Sequence, residues 1–150
     1  MGKIIDSSLC VAVSFYGDTA YAVCENGLYL IDDENNINLT YNFSNEKMKH
    51  FKFFDNGNLL IISENTVGEN YHGLVFNTKG KKISDFAIES FLDISDVGKN
   101  EFIIIKRKGV FNITHKGKVN KEIPCQFEVK DAKYFNGKIA VLSQDKIYFE

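Results

Sequence analysis

A repeat of about 40 residues runs through the chain, and it constrains the fold more than any other feature. Each repeat contains a short apolar run that is rich in β-branched or aromatic side chains. The runs lie at residues 20–24, 59–62, 102–105 and 139–142. A helix would need ten or more residues at a 3.6-residue spacing, whereas a strand buried on both faces has this length and composition.

Turn sequences surround each apolar run. Gly17-Asp18, Asn56-Gly57 and Asn136-Gly137 precede three of the runs, and Asn and Gly adopt the positive φ angles that tight hairpins require. A second strand follows each run, and in the first three repeats a third turn leads to a more polar strand. Each complete repeat therefore predicts four antiparallel strands, of which the last is the most polar.

A unit of this length and strand number resembles a β-propeller blade. The resemblance implies an all-β, four-bladed propeller that occupies residues 1–150 as one domain, with blades at about 9–47, 48–90, 91–128 and 129–150. The last repeat contains only three strands, so we expect the N-terminal segment 3–8 to supply the fourth and to close the ring. A β-sandwich or barrel, and a partial ring completed by dimerisation, are the alternatives.

Composition excludes several functional classes. Hydrophobic residues make up 44% of the chain and charged residues 25%, which is typical of a globular protein and not of a disordered or membrane-spanning one. The formal net charge of −2 argues against a nucleic-acid polymer as partner. No apolar signal sequence is evident, so we expect a cytoplasmic protein, without a membrane partner, in which Cys10, Cys24 and Cys125 are reduced.

Motifs of the common catalytic sites are missing from the sequence. It contains no nucleophile elbow, phosphate-binding loop, dinucleotide fingerprint or zinc-protease motif. The histidines His50, His72 and His115 lie in different repeats, and none neighbours a cysteine at metal-ligand spacing. We therefore expect a non-enzymatic protein without cofactor or metal, and keep hydrolysis by axial carboxylates with His50 as an alternative.

Polar residues on the first strand of each repeat form the first candidate site. Alignment of the repeats on Phe15, Phe54, Val97 and Phe135 places them on the side opposite an apolar row. If that strand lines a central channel, six side chains converge there: His50, Lys52, Asp93, Ser95, Asp131 and Lys133. Such a site would capture a small polar or anionic ligand, such as a phosphorylated or nucleotide-like molecule, in a sensor or sequestering protein. Alternatively, these groups only neutralise one another.

An insertion in the second repeat, residues 64–73, is the second candidate site. Loops that depart from a regular scaffold often carry binding residues, and this one contains Asn70, Tyr71 and His72. Arg107 belongs to the only basic triplet of the chain. These four residues would serve a protein-interaction module, such as an inhibitor or immunity protein. The alternative is a surface insertion without function, which costs little loop entropy.

The first candidate site makes a prediction that a thermal-shift screen checks. A nucleotide or sugar phosphate that binds at the axis will raise the melting temperature of the protein by mass action. The double substitution Lys52→Ala with Lys133→Ala will abolish that rise. A ligand whose effect is unchanged in the double variant would contradict axial capture.

Overall fold

The structure, a computed structural model, describes residues 9–43, 45–65 and 70–150. In this part of the chain all regular structure is β-strand, and consecutive strands pair antiparallel in four separate sheets. The prediction of an all-β chain is confirmed, and separate meandering sheets exclude a single barrel. The strand expected at residues 3–8 lies outside the described residues, so closure of the ring by that segment stays a prediction.

Each sheet uses its strands in sequence order. The first contains β1 (Cys10–Tyr16), β2 (Thr19–Cys24), β3 (Gly27–Ile31) and β4 (Ile37–Asn42). The second contains β5 (Glu46–Phe53), β6 (Leu59–Asn65), β7 (Asn70–Phe76) and β8 (Lys82–Glu89). The third contains β9 (Phe91–Gly98), β10 (Glu101–Lys106), β11 (Gly109–Thr114) and β12 (Val119–Pro124). The fourth contains β13 (Asp131–Phe135), β14 (Lys138–Leu142) and β15 (Ile147–Phe149).

The hairpin turns follow the local chemistry of the sequence. In the turn between β13 and β14, Asn136 and Gly137 both have positive φ angles, 49° and 81°. Asparagine and glycine tolerate that region, and two consecutive positive φ values match the twist of an antiparallel hairpin. The turn therefore sets the register in which Phe135 lies opposite Lys138.

Apolar side chains that alternate along the central strands hold the sheets together. Leu59 and Ile61 of β6 pack in a cluster with the first sheet, whereas Leu60 and Ile62 pack in a cluster with the third. Ile103 and Ile105 of β10 face the fourth sheet in the same way. Because each inner sheet is covered on both sides, its second strand is apolar at four consecutive positions, 59–62 in β6 and 102–105 in β10, and not only at alternate ones.

The sheets at the two ends of the chain each leave one face open. Val11, Val13 and Phe15 alternate along β1 with residues that face the second sheet, and Phe15 is 76% exposed. On the fourth sheet Phe135 and Ile147 are each 60% exposed. No apolar cluster among the described residues joins the first sheet to the fourth.

A disulfide bond joins Cys10 of β1 to Cys24 of β2. The expectation of three reduced cysteines is wrong for this pair, because the register of the hairpin places the two residues directly opposite each other. Cys125 is a free thiol, and burial raises its pKa, so its thiolate is disfavoured at neutral pH.

Thiol counting tests the disulfide. Denatured, unreduced protein is expected to show one reactive thiol, from Cys125, and reduced protein all three of its cysteines. Substitution of Cys10 and Cys24 by serine should lower the free energy of unfolding by about 2–4 kcal/mol, because the open chain gains entropy when unfolded. Cys125→Ser is the matched control. Three reactive thiols before reduction would rule out the bond.

Candidate functional site

The six residues of the predicted axial site lie in three different places. His50 and Lys52 are on β5, Asp93 and Ser95 on β9, and Asp131 and Lys133 on β13. Within this set, the structure gives one direct contact between side chains, the 3.7 Å ion pair of Lys133 Nζ with Asp131 Oδ1 on a single strand. All six residues are described, and their role in ligand binding stays a prediction.

Strand alternation explains the separation. Lys52 lies opposite Leu60, whose side chain packs toward the third sheet, and the contact of His50 with Phe91 is on that same side. Ser95 lies opposite Ile103, which faces the fourth sheet, and is buried. These side chains therefore enter successive spaces between sheets, whereas Asp131 and Lys133 line a shallow depression of about 200 Å³ on the fourth sheet's open face.

The repeat alignment needs a shift of one residue in the first repeat. Tyr16 pairs with Thr19 across the first turn, as Phe135 pairs with Lys138 across the last one, so Tyr16 and not Phe15 is the equivalent of Phe135. The structural equivalent of Phe51 is consequently Val13, not Ala12. In the hydrolase alternative, Asp93 and Asp131 would act together, yet each accepts a hydrogen bond from the backbone N–H of its own next residue at 2.8 Å.

The insertion of the second repeat is mostly an extension of a hairpin. β6 continues to Asn65 and β7 begins at Asn70, so Asn70, Tyr71 and His72 lie on a strand and not in a loop. The interpretation of these three as loop residues is wrong, because the antiparallel register continues through the pair Glu64–Tyr71. Alternation then sends Tyr71 and His72 to opposite faces of the second sheet. Residues 66–69 lie outside the described part.

His72 belongs to a polar cluster beside the first sheet. Glu46 joins two partners there: its Oε2 accepts a hydrogen bond from Ser63 Oγ at 2.5 Å, and its Oε1 lies 2.6 Å from His72 Nδ1. An ionised carboxylate only accepts, so this contact needs the His72 tautomer that has its hydrogen on Nδ1. Ser63 is fully buried, and Glu46 satisfies its hydroxyl. The arrangement is structural, because the Ser63 hydroxyl donates to the Glu46 carboxylate and not to the His72 imidazole.

Tyr71 lines a cleft at the boundary between the second and third sheets. The cleft has a volume of about 500 Å³, and it brings together three residues that the sequence analysis singled out: Asn70, Tyr71 and Arg107. Glu64 also lines the cleft. The remaining lining residues lie around the connection between the two sheets: Glu89, Ser90, Phe91 and Leu92. The fourth predicted partner residue, His72, is on the other face.

Local backbone geometry positions the cleft. Ser90 alone separates β8 from β9 and adopts a φ of 53°, in the left-handed region that non-glycine residues rarely occupy. The backbone N–H of Arg107 donates to the Ser90 carbonyl at 3.2 Å and ties the cleft wall to the third sheet. The ring of Phe91 has its centroid 5.8 Å from that of Tyr71 and 6.2 Å from that of His50.

Charges around the cleft are mostly paired. Lys49 Nζ contacts Glu64 Oε2 at 2.7 Å, and this hydrogen bond holds the pKa of the Glu64 carboxyl below its usual range. Arg107 Nε donates to Glu128 Oε1 at 3.0 Å. Among the described residues no ion pair involves Glu89. The cleft thus offers an aromatic wall, the half-exposed Leu92 and the carboxylate of Glu89, which has no basic partner in the described part of the chain.

Glu89, Phe91 and Leu92 were not among the residues predicted from the sequence. They lie where one repeat gives way to the next, and the repeat pattern places no insertion there. The boundary itself was the available signal, because a short connection between packed sheets leaves their rims open.

In the described ranges there is no cluster of three metal-ligating side chains, and no helix long and apolar enough to cross a membrane.

Comparison with known proteins extends the assignment of the fold. No protein-family model and no curated protein match the chain. Regucalcin from Agrobacterium tumefaciens, a calcium-binding protein, is 13% identical with a TM-score of 0.58, over 91% of this chain and 54% of that one. The N-terminal domain of Nup159 is 14% identical with a TM-score of 0.56, and the match covers 94% of this chain and 47% of that domain. The Pan2 WD40 domain from Neurospora crassa is 14% identical with a TM-score of 0.51, and the match covers 95% of this chain and 46% of that domain.

The architecture is that of β-propeller blades. At these identities the likeness shows the fold alone. The chain spans about half the length of the solved structures that it matches. The predicted resemblance to a propeller is confirmed, whereas the number of blades in a complete ring stays a prediction.

The polar cluster around Glu46 makes a stability prediction. Glu46→Ala leaves the buried Ser63 hydroxyl without its acceptor, which should lower the free energy of unfolding by about 1–3 kcal/mol in urea denaturation. Glu122→Ala is the matched control, because its ion pair with Lys106 is exposed on the carboxylate side and should contribute less than about 1 kcal/mol. Equal losses in the two variants would contradict a structural role for the cluster.

Proposed function

We propose that the protein is a non-enzymatic interaction module that binds a short segment of a partner protein in the cleft between the second and third blades. The observation that carries this proposal is the convergence of Tyr71 and Arg107 around one open cleft, although 35 residues separate them in the sequence. Tyrosine and arginine are enriched among the residues that dominate protein interfaces.

The shape of the cleft supports an elongated ligand. Tyr71 and Phe91 form an aromatic wall, and Leu92 adds an apolar side chain that is 49% exposed. A volume of about 500 Å³ accommodates one or two side chains of a peptide. Phe91 and Tyr71 also pack on the apolar cluster between the two sheets, so the wall is held rigid before a ligand arrives.

The charges of the cleft favour a basic segment. Glu64 stays ionised beside Lys49, Glu89 has no basic partner among the described residues, and Glu128 already neutralises part of the Arg107 guanidinium. A lysine or arginine of the ligand would complete the pairing of Glu89. We therefore expect the segment to carry an apolar or aromatic residue next to a basic one.

Selection from a library of random linear peptides tests the proposal. Enriched peptides should carry that pattern. Leu92→Ser should weaken their binding at least about tenfold, since it removes an exposed apolar contact. Glu89→Lys should weaken binding of the basic peptides further, because it places like charges together. Affinities are measured by isothermal titration calorimetry.

The axial residues supply the matched control. Lys52→Ala with Lys133→Ala leaves the cleft intact and should not change peptide affinity. Normal binding by the two cleft variants, with loss in the lysine double variant, would move the site to the axial residues. Enrichment of acidic peptides would also contradict the proposal.

A further inference from the structure

Two exposed apolar faces lie at the ends of the stack of sheets. We call the open side of the first sheet the head face, formed by Val11, Val13, Phe15 and Leu39. We call the open side of the fourth sheet the tail face, formed by Phe135, Leu142, Ile147 and Phe149. Contiguous apolar faces of this kind on a soluble protein mark surfaces that are covered by another element.

The repeat shows what kind of surface covers the head face. Val13 is the structural equivalent of Phe51 in the second sheet, Ile94 in the third and Ala132 in the fourth. Each of those three side chains packs against the sheet that precedes its own. Val13 is 56% exposed, and among the described residues no sheet precedes the first one. The surface that fits the head face is therefore the side of a blade that normally packs against the next blade along the chain, as the tail face would.

Charge complementarity favours a tail face of this same sequence. The first sheet and its turns contain five carboxylates and no basic side chain: Asp18, Glu25, Asp32, Asp33 and Glu34. Lys133 and Lys138 are on the tail face. Lys133 pairs there with Asp131 at 3.7 Å, whereas Lys138 takes part in no ion pair among the described residues. Lys138 follows the β13–β14 turn, which is at the same end of its sheet as the β1–β2 turn that contains Asp18.

The curvature of the stack leaves room for a second arc. The chain superposes over 91% and 94% of its length on two propellers, and in doing so covers 54% and 47% of theirs. Four sheets with that curvature extend over roughly half of a ring. The head and tail faces of one chain then point away from each other, in agreement with their exposure.

We propose that a second copy of this chain completes the ring, with the head face of each copy packed on the tail face of the other. The two junctions are identical and related by a two-fold axis, so the assembly closes as a dimer. Each junction repeats the packing that joins neighbouring sheets within the chain. This proposal goes beyond the peptide cleft, which is at an internal boundary and is complete in one copy.

Sedimentation velocity and light scattering test the dimer. The intact protein is expected to have twice the 17.1 kDa mass of the chain. Phe15→Glu on the head face and Ile147→Glu on the tail face should each raise the dimer dissociation constant at least about tenfold. Both side chains are exposed in the single copy, so its fold should survive. Ile83→Glu, at an exposed apolar position on β8 away from both faces, is the matched control.

Crosslinking distinguishes a second copy from a ring that closes on itself. A carbodiimide joins a lysine to a carboxylate in contact, and an equal mixture of ¹⁵N-labelled and unlabelled protein shows whether the two come from one chain. We expect mixed-label links between Lys138 and the carboxylates of the first sheet. Two variants exchange the charges: Asp18→Lys with Asp33→Lys on the first sheet, and Lys133→Glu with Lys138→Glu on the tail face. Each variant alone should weaken association. The two combined in one chain should restore it.

Three results would overturn the proposal. The first is a monomer at every concentration tested. The second is a dimer that Ile83→Glu weakens as much as the end-face variants do, or that neither end-face variant weakens. The third is crosslinking of Lys138 to the first sheet only within single chains. None of these results bears on peptide binding, which the cleft variants test separately.

Discussion

Face-to-face packing of apolar side chains from neighbouring sheets holds this protein together. The second strand of each inner sheet supplies side chains to both sides, as Leu60 and Ile61 of β6 show, and both are fully buried. Burial of each such side chain contributes about 1.5–3 kcal/mol. A single sheet exposes too much apolar surface to be stable alone, so the blades depend on one another.

The same packing decides where polar chemistry can lie. Between sheets the interior is closed, and the buried Ser63 hydroxyl is satisfied there by Glu46. Open space remains at the rims, where one sheet connects to the next. The single residue Ser90 between β8 and β9 creates such a rim, and Tyr71, Phe91 and Arg107 meet there because three strands end close together.

The ends of the stack follow from the repeat as well. Every sheet presents one side to its predecessor and one to its successor, and within the described residues the first and last sheets have one neighbour fewer. Their unpaired sides keep the composition of a blade junction, which explains why residues as apolar as Phe15 and Ile147 are exposed. The first sheet and its turns hold carboxylates and no basic side chain, whereas the open side of the last sheet presents Lys133 and Lys138 beside Asp131.

The sequence by itself determined the strand order, the four-stranded repeat and the propeller architecture. Short apolar runs such as 102–105, with Asn and Gly turns between them, leave few other ways to bury their side chains. Tertiary structure alone decided which side chains meet. Alternation separates Tyr71 from His72, although they are adjacent in the chain, and the pairing of β1 with β2 places Val13, not Ala12, on the head face. Such placements depend on register and on the number of neighbouring sheets, and neither is a property of a single segment of sequence.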